Sequence, residues 1–185
     1  MTLSLAIYGC GAVGREVVRL IQESDLHLQD FRIESICVKN LYKHTDVENE
    51  NFTTDIEWLS NSEGHNVVVD MLPGIEPSFS LAVRALADGK KVITCNKQMI
   101  GEKGAELVKL AGKEHEKLYL NSIPASAEPC KYDDIHLTNK NLLDYDMHDL
   151  LAFRGADGLV TAKYIFKDIV EIIEDANARC TSEDN

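Results

Sequence analysis

Residues 3–21 constrain the fold more than any other stretch. An apolar run, Leu3-Ser4-Leu5-Ala6-Ile7, leads through Tyr8 into Gly9-Cys10-Gly11-Ala12-Val13-Gly14, after which Val17, Leu20 and Ile21 recur at helical spacing. A strand, a G-x-G-x-x-G turn and a helix, in that order, bring backbone close to the pyrophosphate of a dinucleotide. Gly9 permits the tight turn, Gly11 keeps a Cβ away from the phosphates, and Gly14 lets the helix pack closely on the strand. Ala12 and Val13 begin the helix, so its first N–H groups and the positive end of its dipole face the same place. The alternative, a turn with no ligand, fits this β-like and α-like context less well.

The rest of the chain repeats the alternation. Residues 31–38 read as a second strand, and 66–71 as a third whose near-continuous apolar character suits a parallel sheet covered on both faces. Residues 91–94 and 118–120 read as two more strands. Helices are predicted over 12–23, over 55–59 with Trp58 as a packing anchor, from Pro77 to about 87, and from Gln98 or Gly101 to about 117. Residues 41–54 read as a polar loop. Helical spacing returns over 159–173, residues 150–153 are a candidate strand, and 174–185 read as a frayed end. The expected fold is α/β, a Rossmann-type doubly wound parallel sheet, with a short non-Rossmann insert before the C-terminal helix. The expected division is 1–125 for the dinucleotide-binding domain, 126–149 for the insert, and 150–185 for a strand and helix returning to the core.

A sheet of this kind binds ligands at the carboxyl ends of its strands. Leu72-Pro73-Gly74 forms a turn at that edge. After the second strand, where a carboxylate would hold the ribose 2′-hydroxyl of NAD, stand Lys39, Asn40, Lys43 and His44, with no carboxylate before Asp46. Lys39 thus tilts the expected cofactor from NAD toward NADP; solvated loop charges are the other reading.

Charge and cysteine usage narrow the partners. A net charge of −12 over 185 residues argues against nucleic acid and against an anionic membrane surface. No apolar run approaches the ~20 residues of a membrane span. Cys10, Cys37, Cys95, Cys130 and Cys180 form no C-x-x-C pair, which suits reduced thiols in the cytoplasm.

Four blocks in this order resemble the nucleotide-binding domain of homoserine dehydrogenases. They are Gly9 to Gly14; Val68-Val69-Asp70-Met71-Leu72-Pro73-Gly74-Ile75-Glu76-Pro77; Gly89-Lys90-Lys91-Val92-Ile93-Thr94-Cys95-Asn96-Lys97 with Gly104-Ala105-Glu106-Leu107; and Arg154-Gly155-Ala156 with Val160-Thr161-Ala162 and Asp168. The resemblance implies NAD(P) binding, with Asn96, Lys97 and Gly155 joining the cofactor site and Lys97 beside nicotinamide and substrate as the candidate catalytic cation. A lysine just beyond a strand's carboxyl end suits polarisation of a hydroxyl or carbonyl during hydride transfer. Contact with cofactor phosphate or ribose, or a place at the helix start, remain alternatives for it.

The departures bear on activity. Such enzymes carry a large substrate domain where this chain has only about 126–149, and their catalytic carboxylates and second lysine have no counterpart here. Leu120-Asn121-Ser122-Ile123-Pro124-Ala125-Ser126 replaces a glutamate and glycine-rich turn associated with a monovalent cation, so no metal site is expected. Asp157 replaces what is usually glycine. The insert holds Asp133, Asp134, His136, Asp144, Asp146, His148 and Asp149 without standard ligand spacing, and a solvated acidic loop or a dimer-forming hairpin accounts for it more simply than a metal or acid–base site. The expected protein binds NAD(P) without oxidising homoserine as a lone chain. The alternative is an oxidoreductase whose substrate pocket a partner subunit completes. A homo-oligomer stays open and would need contacts of its own.

Overall fold

The computed structural model describes residues 3–24, 31–44, 47, 51–111, 118–120 and 158–183. Gly155, the insert and the candidate strand at 150–153 lie outside them. The element order is β1 (Leu3–Tyr8), α1 (Ala12–Glu23), β2 (Phe31–Cys37), β3 (Phe52–Thr53), α2 (Ile56–Asn61), β4 (Val67–Asp70), α3 (Ser78–Ala87), β5 (Lys91–Thr94), α4 (Lys97–Ala111), β6 (Leu118–Tyr119) and α5 (Gly158–Glu183). The strands form one six-stranded sheet in the order β3-β2-β1-β4-β5-β6, every pair parallel. This is the Rossmann order, which reverses between β1 and β4.

Two apolar layers explain why these sequences settle there. Side chains alternate along a strand, so each strand feeds both faces. Leu3, Leu5, Ile7, Val67, Val69 and Ile93 pack against Val17, Val18 and Ile21 of α1 and Ala162, Ile165, Ile169, Ile172 and Ile173 of α5. Ala6, Tyr8, Val68 and Val92 face the other way, onto Leu81, Ala85 and Leu86 of α3 and Met99, Ile100, Leu107 and Val108 of α4. All six β1 residues are buried, as a central strand covered on both sides requires.

Several expectations are corrected. The predicted loop over 41–54 contains a 3-10 turn (Leu41–Lys43) and the two-residue edge strand β3, too short for a period-2 pattern to announce. Asp55 lies before α2 and caps it, its Oδ1 accepting from the Trp58 amide at 2.8 Å. Trp58 is 53% exposed, so it anchors no core; Leu59 on the same short helix does. α4 begins at Lys97, before the predicted start, because Asn96 Oδ1 accepts from the Met99 amide at 3.0 Å. The stretch from Glu174 is not frayed throughout, since α5 continues to Glu183. Among the described residues no helix is long and apolar enough to cross a membrane. Cys10 and Cys37 are buried and Cys95 partly buried, and none of the three is in a disulfide.

Candidate functional site

The glycine turn leaves β1 at the point where the strand order reverses. Gly9 has φ +97°, and its amide donates to the Cys37 carbonyl oxygen at 3.0 Å. A Cβ on Gly9 would stand 2.9 Å from the Met71 carbonyl oxygen. One on Gly14, which is buried in α1, would overlap the Gly9 carbonyl oxygen. Both glycines therefore let β1, α1 and the chain after β4 close on one another. Gly11 differs: a Cβ there meets nothing within 4 Å, so its place faces open space. Gly11 and Ala12 are exposed, Val13 is half-buried, and α1 has neither a side-chain cap nor an acid in its first turn. The first N–H groups of a helix lack intrahelical acceptors, so an uncapped start bordered by open space fits a phosphate group.

The chain after β4 forms the next part of the rim. The Met71 amide donates to the Tyr8 carbonyl oxygen at 2.8 Å, and Leu72 Cδ2 lies 3.5 Å from where a Gly9 Cβ would be. Leu72, Pro73 and Gly74 follow, with Gly74 at φ +83°. Asn96 ties this turn to α4, its Nδ2 donating to Leu72 O at 3.0 Å and Gly74 O at 2.5 Å. With Oδ1 capping α4, the Asn96 side chain is committed to protein partners.

Lys97 is the first residue of α4. Its Nζ is buried and has no hydrogen-bond partner among the described residues. Burial pushes its pKa below the usual lysine range, with Cys95 opposing that shift. The neighbouring Cys95 thiol is pushed up to about 12 by burial and by Asp70, so it stays protonated. An amine held in such surroundings is a hydrogen-bond donor awaiting an acceptor.

Beyond β2, Lys39 is exposed, and Asn40 caps the 3-10 turn by accepting from the Tyr42 amide at 3.0 Å. The Arg15 guanidinium, from the first turn of α1, donates to the Lys43 carbonyl oxygen and lies 3.4 Å from His44 Nδ1. His44 in turn stacks on Phe52 at 5.5 Å between centroids. Among the described residues Lys39, Lys43 and Lys97 have no carboxylate partner, as is also true of lysines elsewhere such as Lys109 and Lys163. Cations at this sheet edge suit an anionic ligand. Arg15 was missed as a site residue in the sequence, although it directly follows Gly14, because its partners come from a loop 28 positions away. The structure thus gathers Gly9, Gly11, Gly14, Leu72, Gly74, Asn96 and Lys97 along one edge.

Tyr8 ends β1 on the opposite layer from α1. Its hydroxyl is buried without a partner among the described residues, and burial raises its pKa. It is a core group with no part in the rim.

Comparison with known proteins agrees with this geometry. The family model "Homoserine dehydrogenase, NAD binding domain" matches residues 9–121. A homoserine dehydrogenase from Mycobacterium tuberculosis is 34% identical over 132 residues, covering 69% of this chain and 30% of that protein. One from Synechocystis is 30% identical over 118 residues, covering 61% and 27%. The chain thus spans about 30% of the length of these relatives. Among solved structures, Staphylococcus aureus homoserine dehydrogenase at pH 6.0 matches with a TM-score of 0.58 and 29% identity, over 64% of this chain and 33% of that one. A hyperthermophilic archaeal homoserine dehydrogenase in complex with NADPH shares the fold, with a TM-score of 0.56 and 21% identity, over 70% of this chain and 47% of its own.

Proposed function

The chain belongs to the homoserine dehydrogenase NAD-binding-domain family, and on that premise we propose that it binds NADPH in preference to NADH and does not oxidise homoserine as a lone chain. The observation that carries the cofactor reading is the uncapped start of α1, with open space at Gly11 and Arg15 reaching across to the segment after β2. The first N–H groups of α1 would hold the pyrophosphate. Lys39, Lys43 and Arg15 would face the 2′-phosphate, where a carboxylate would instead favour NADH. The dinucleotide-binding domain is taken as 1–125, with 150–185 as the segment returning to it.

When bound, the nicotinamide supplies hydride transfer. Lys97 would donate a hydrogen bond from Nζ to the oxygen of a carbonyl or hydroxyl group there, a role suited to its buried amine, which has no partner among the described residues. The rest of a substrate pocket has less support within the chain. Between β6 and α5 lie only residues 120–157, and α5 packs back onto α1 and the sheet. Carboxylates for proton transfer would then come from a second copy or another polypeptide, which is the runner-up reading as an oxidoreductase completed by a partner. A cytoplasmic setting and reduced thiols accompany both.

Fluorescence titration with NADPH and NADH, followed by assays with homoserine and with aspartate semialdehyde, tests this. Tight NADPH binding, weaker NADH binding and no turnover are expected. Absence of any dinucleotide binding would overturn both readings, and turnover by the monomer would overturn the non-catalytic one.

A further inference from the structure

One buried carboxylate, with both oxygens bonded, is a group for which the proposed chemistry has no direct use. Asp70 ends β4 and is 1% exposed. Its Oδ1 accepts from the Leu72 amide at 3.1 Å and from Ser78 Oγ at 3.0 Å, and its Oδ2 accepts from Thr94 Oγ1 at 2.9 Å. No lysine or arginine pairs with it among the described residues. A buried carboxylate held only by neutral donors is costly, and a well-packed apolar residue would end a strand more cheaply. Its bonds, however, converge on the rim of the site. Thr94 Oγ1 accepts from the Asn96 amide at 3.1 Å, and Asn96 Nδ2 donates to Ser78 Oγ at 3.0 Å as well as to Leu72 O and Gly74 O. Asn96 Oδ1 then caps α4, of which Lys97 is the first residue.

We propose that Asp70 is the positioning residue of this site, fixing the turn from Leu72 to Gly74 and the start of α4 in a single arrangement through Ser78, Thr94 and Asn96. The inference rests on the reading that the site binds a dinucleotide. The turn and Lys97 lie on the far side of the glycine turn from Lys39 and Arg15, so the clamp organises the nicotinamide half and leaves the adenosine half alone. Networks of satisfied buried polar groups rigidify what they join, and a preorganised rim keeps ordering costs out of binding.

Asp70→Asn keeps the shape and removes an acceptor. In the full chain, two ligands are compared: NADPH, and 2′-phospho-ADP-ribose, which lacks the nicotinamide. NADPH affinity is expected to fall about tenfold or more, while affinity for 2′-phospho-ADP-ribose stays within about twofold. Amide exchange without ligand is expected to quicken at Leu72, Gly74, Gln98 and Met99 and to hold steady in β1 and α1. Should Asp70→Asn fail to fold, Ser78→Ala removes one arm of the clamp and is read identically. Unchanged exchange at those four amides overturns the clamp, as does equal loss of both ligands. Quickened exchange in a chain whose wild type binds neither ligand overturns the dinucleotide reading and the positioning role, and leaves the clamp as a structural feature.

Discussion

A methyl group on Gly14 would overlap the carbonyl oxygen of Gly9, whereas one on Gly11 would meet nothing within 4 Å. The two substitutions therefore separate folding from binding. Gly14→Ala forces α1 off β1 and is expected to destabilise by about 3 kcal/mol. Gly11 has φ −80°, which alanine adopts freely, so Gly11→Ala costs about 1 kcal/mol or less, the difference between glycine and alanine as a helix cap. Its methyl group projects where phosphate oxygens would lie, so NADPH affinity should drop even though the fold survives. Thermal melts beside fluorescence titrations check both. A Gly11→Ala protein that binds like wild type would remove the pyrophosphate from this turn.

Arg15 links the start of α1 to Lys43 and His44. If this corner faces a 2′-phosphate, Arg15→Ala and Lys39→Ala each remove a charge-assisted contact to NADPH that NADH never makes. NADPH affinity should fall about tenfold, as expected for a hydrogen bond to a charged group, with NADH little changed. Raising the salt concentration should narrow the gap between the two cofactors. Equal losses for both in a titration series would refute the 2′-phosphate assignment.

α5 supplies five buried apolar residues to the same layer as α1, and a Cβ added to Gly158 at its start would stand 3.8 Å from Ala12 Cβ. Such a helix is part of the core of the dinucleotide unit. Ile165 is fully buried, so Ile165→Ala is expected to cost about 2–5 kcal/mol in urea unfolding and to lower both transitions together if any second transition exists. A change confined to a minor transition would make α5 a separate appendage.

The sheet and the glycine turn were legible because their signals are local. β1, α1, β4 and β5 each carry a periodic or continuous apolar pattern, and Gly9, Gly11 and Gly14 sit at fixed offsets where β1 passes into α1. What escaped depends on contacts distant in sequence. Arg15 reads as an ordinary surface residue until β2 brings Lys43 beside it. Asp70 looks like the polar end of an apolar strand, and only folding sets Ser78 and Thr94 around its oxygens. Trp58 was misplaced because hydrophobicity alone does not say which face of a six-residue helix is covered. Asn96 was expected at the cofactor by resemblance, and the structure shows its side chain engaged with Leu72, Gly74, Ser78 and Met99.

His65 lies just before β4, at the opposite end of that strand from Asp70, and gives a pH test independent of any ligand. It is 4% exposed, and Lys90 Nζ approaches its Nε2 at 3.1 Å while also donating to the Ser62 carbonyl oxygen at 2.9 Å. An ammonium group can only donate, so Nε2 accepts and the ring is neutral with its proton on Nδ1. Burial first, and then the Lys90 charge, push the pKa of His65 from 6.5 down to about 4, with Asp88 opposing. Between those values the unfolded chain binds a proton that the folded chain refuses, so stability is complete above the unfolded pKa and declines as the pH falls toward the folded one. The loss from this residue should reach about 2 kcal/mol by pH 5. His65→Gln keeps an acceptor for Lys90 and does not titrate, so urea midpoints at pH 7 and pH 5 should diverge in the wild type by more than in the variant. Equal pH dependence in the two proteins would show that the imidazole is protonated, or solvated, in the folded state.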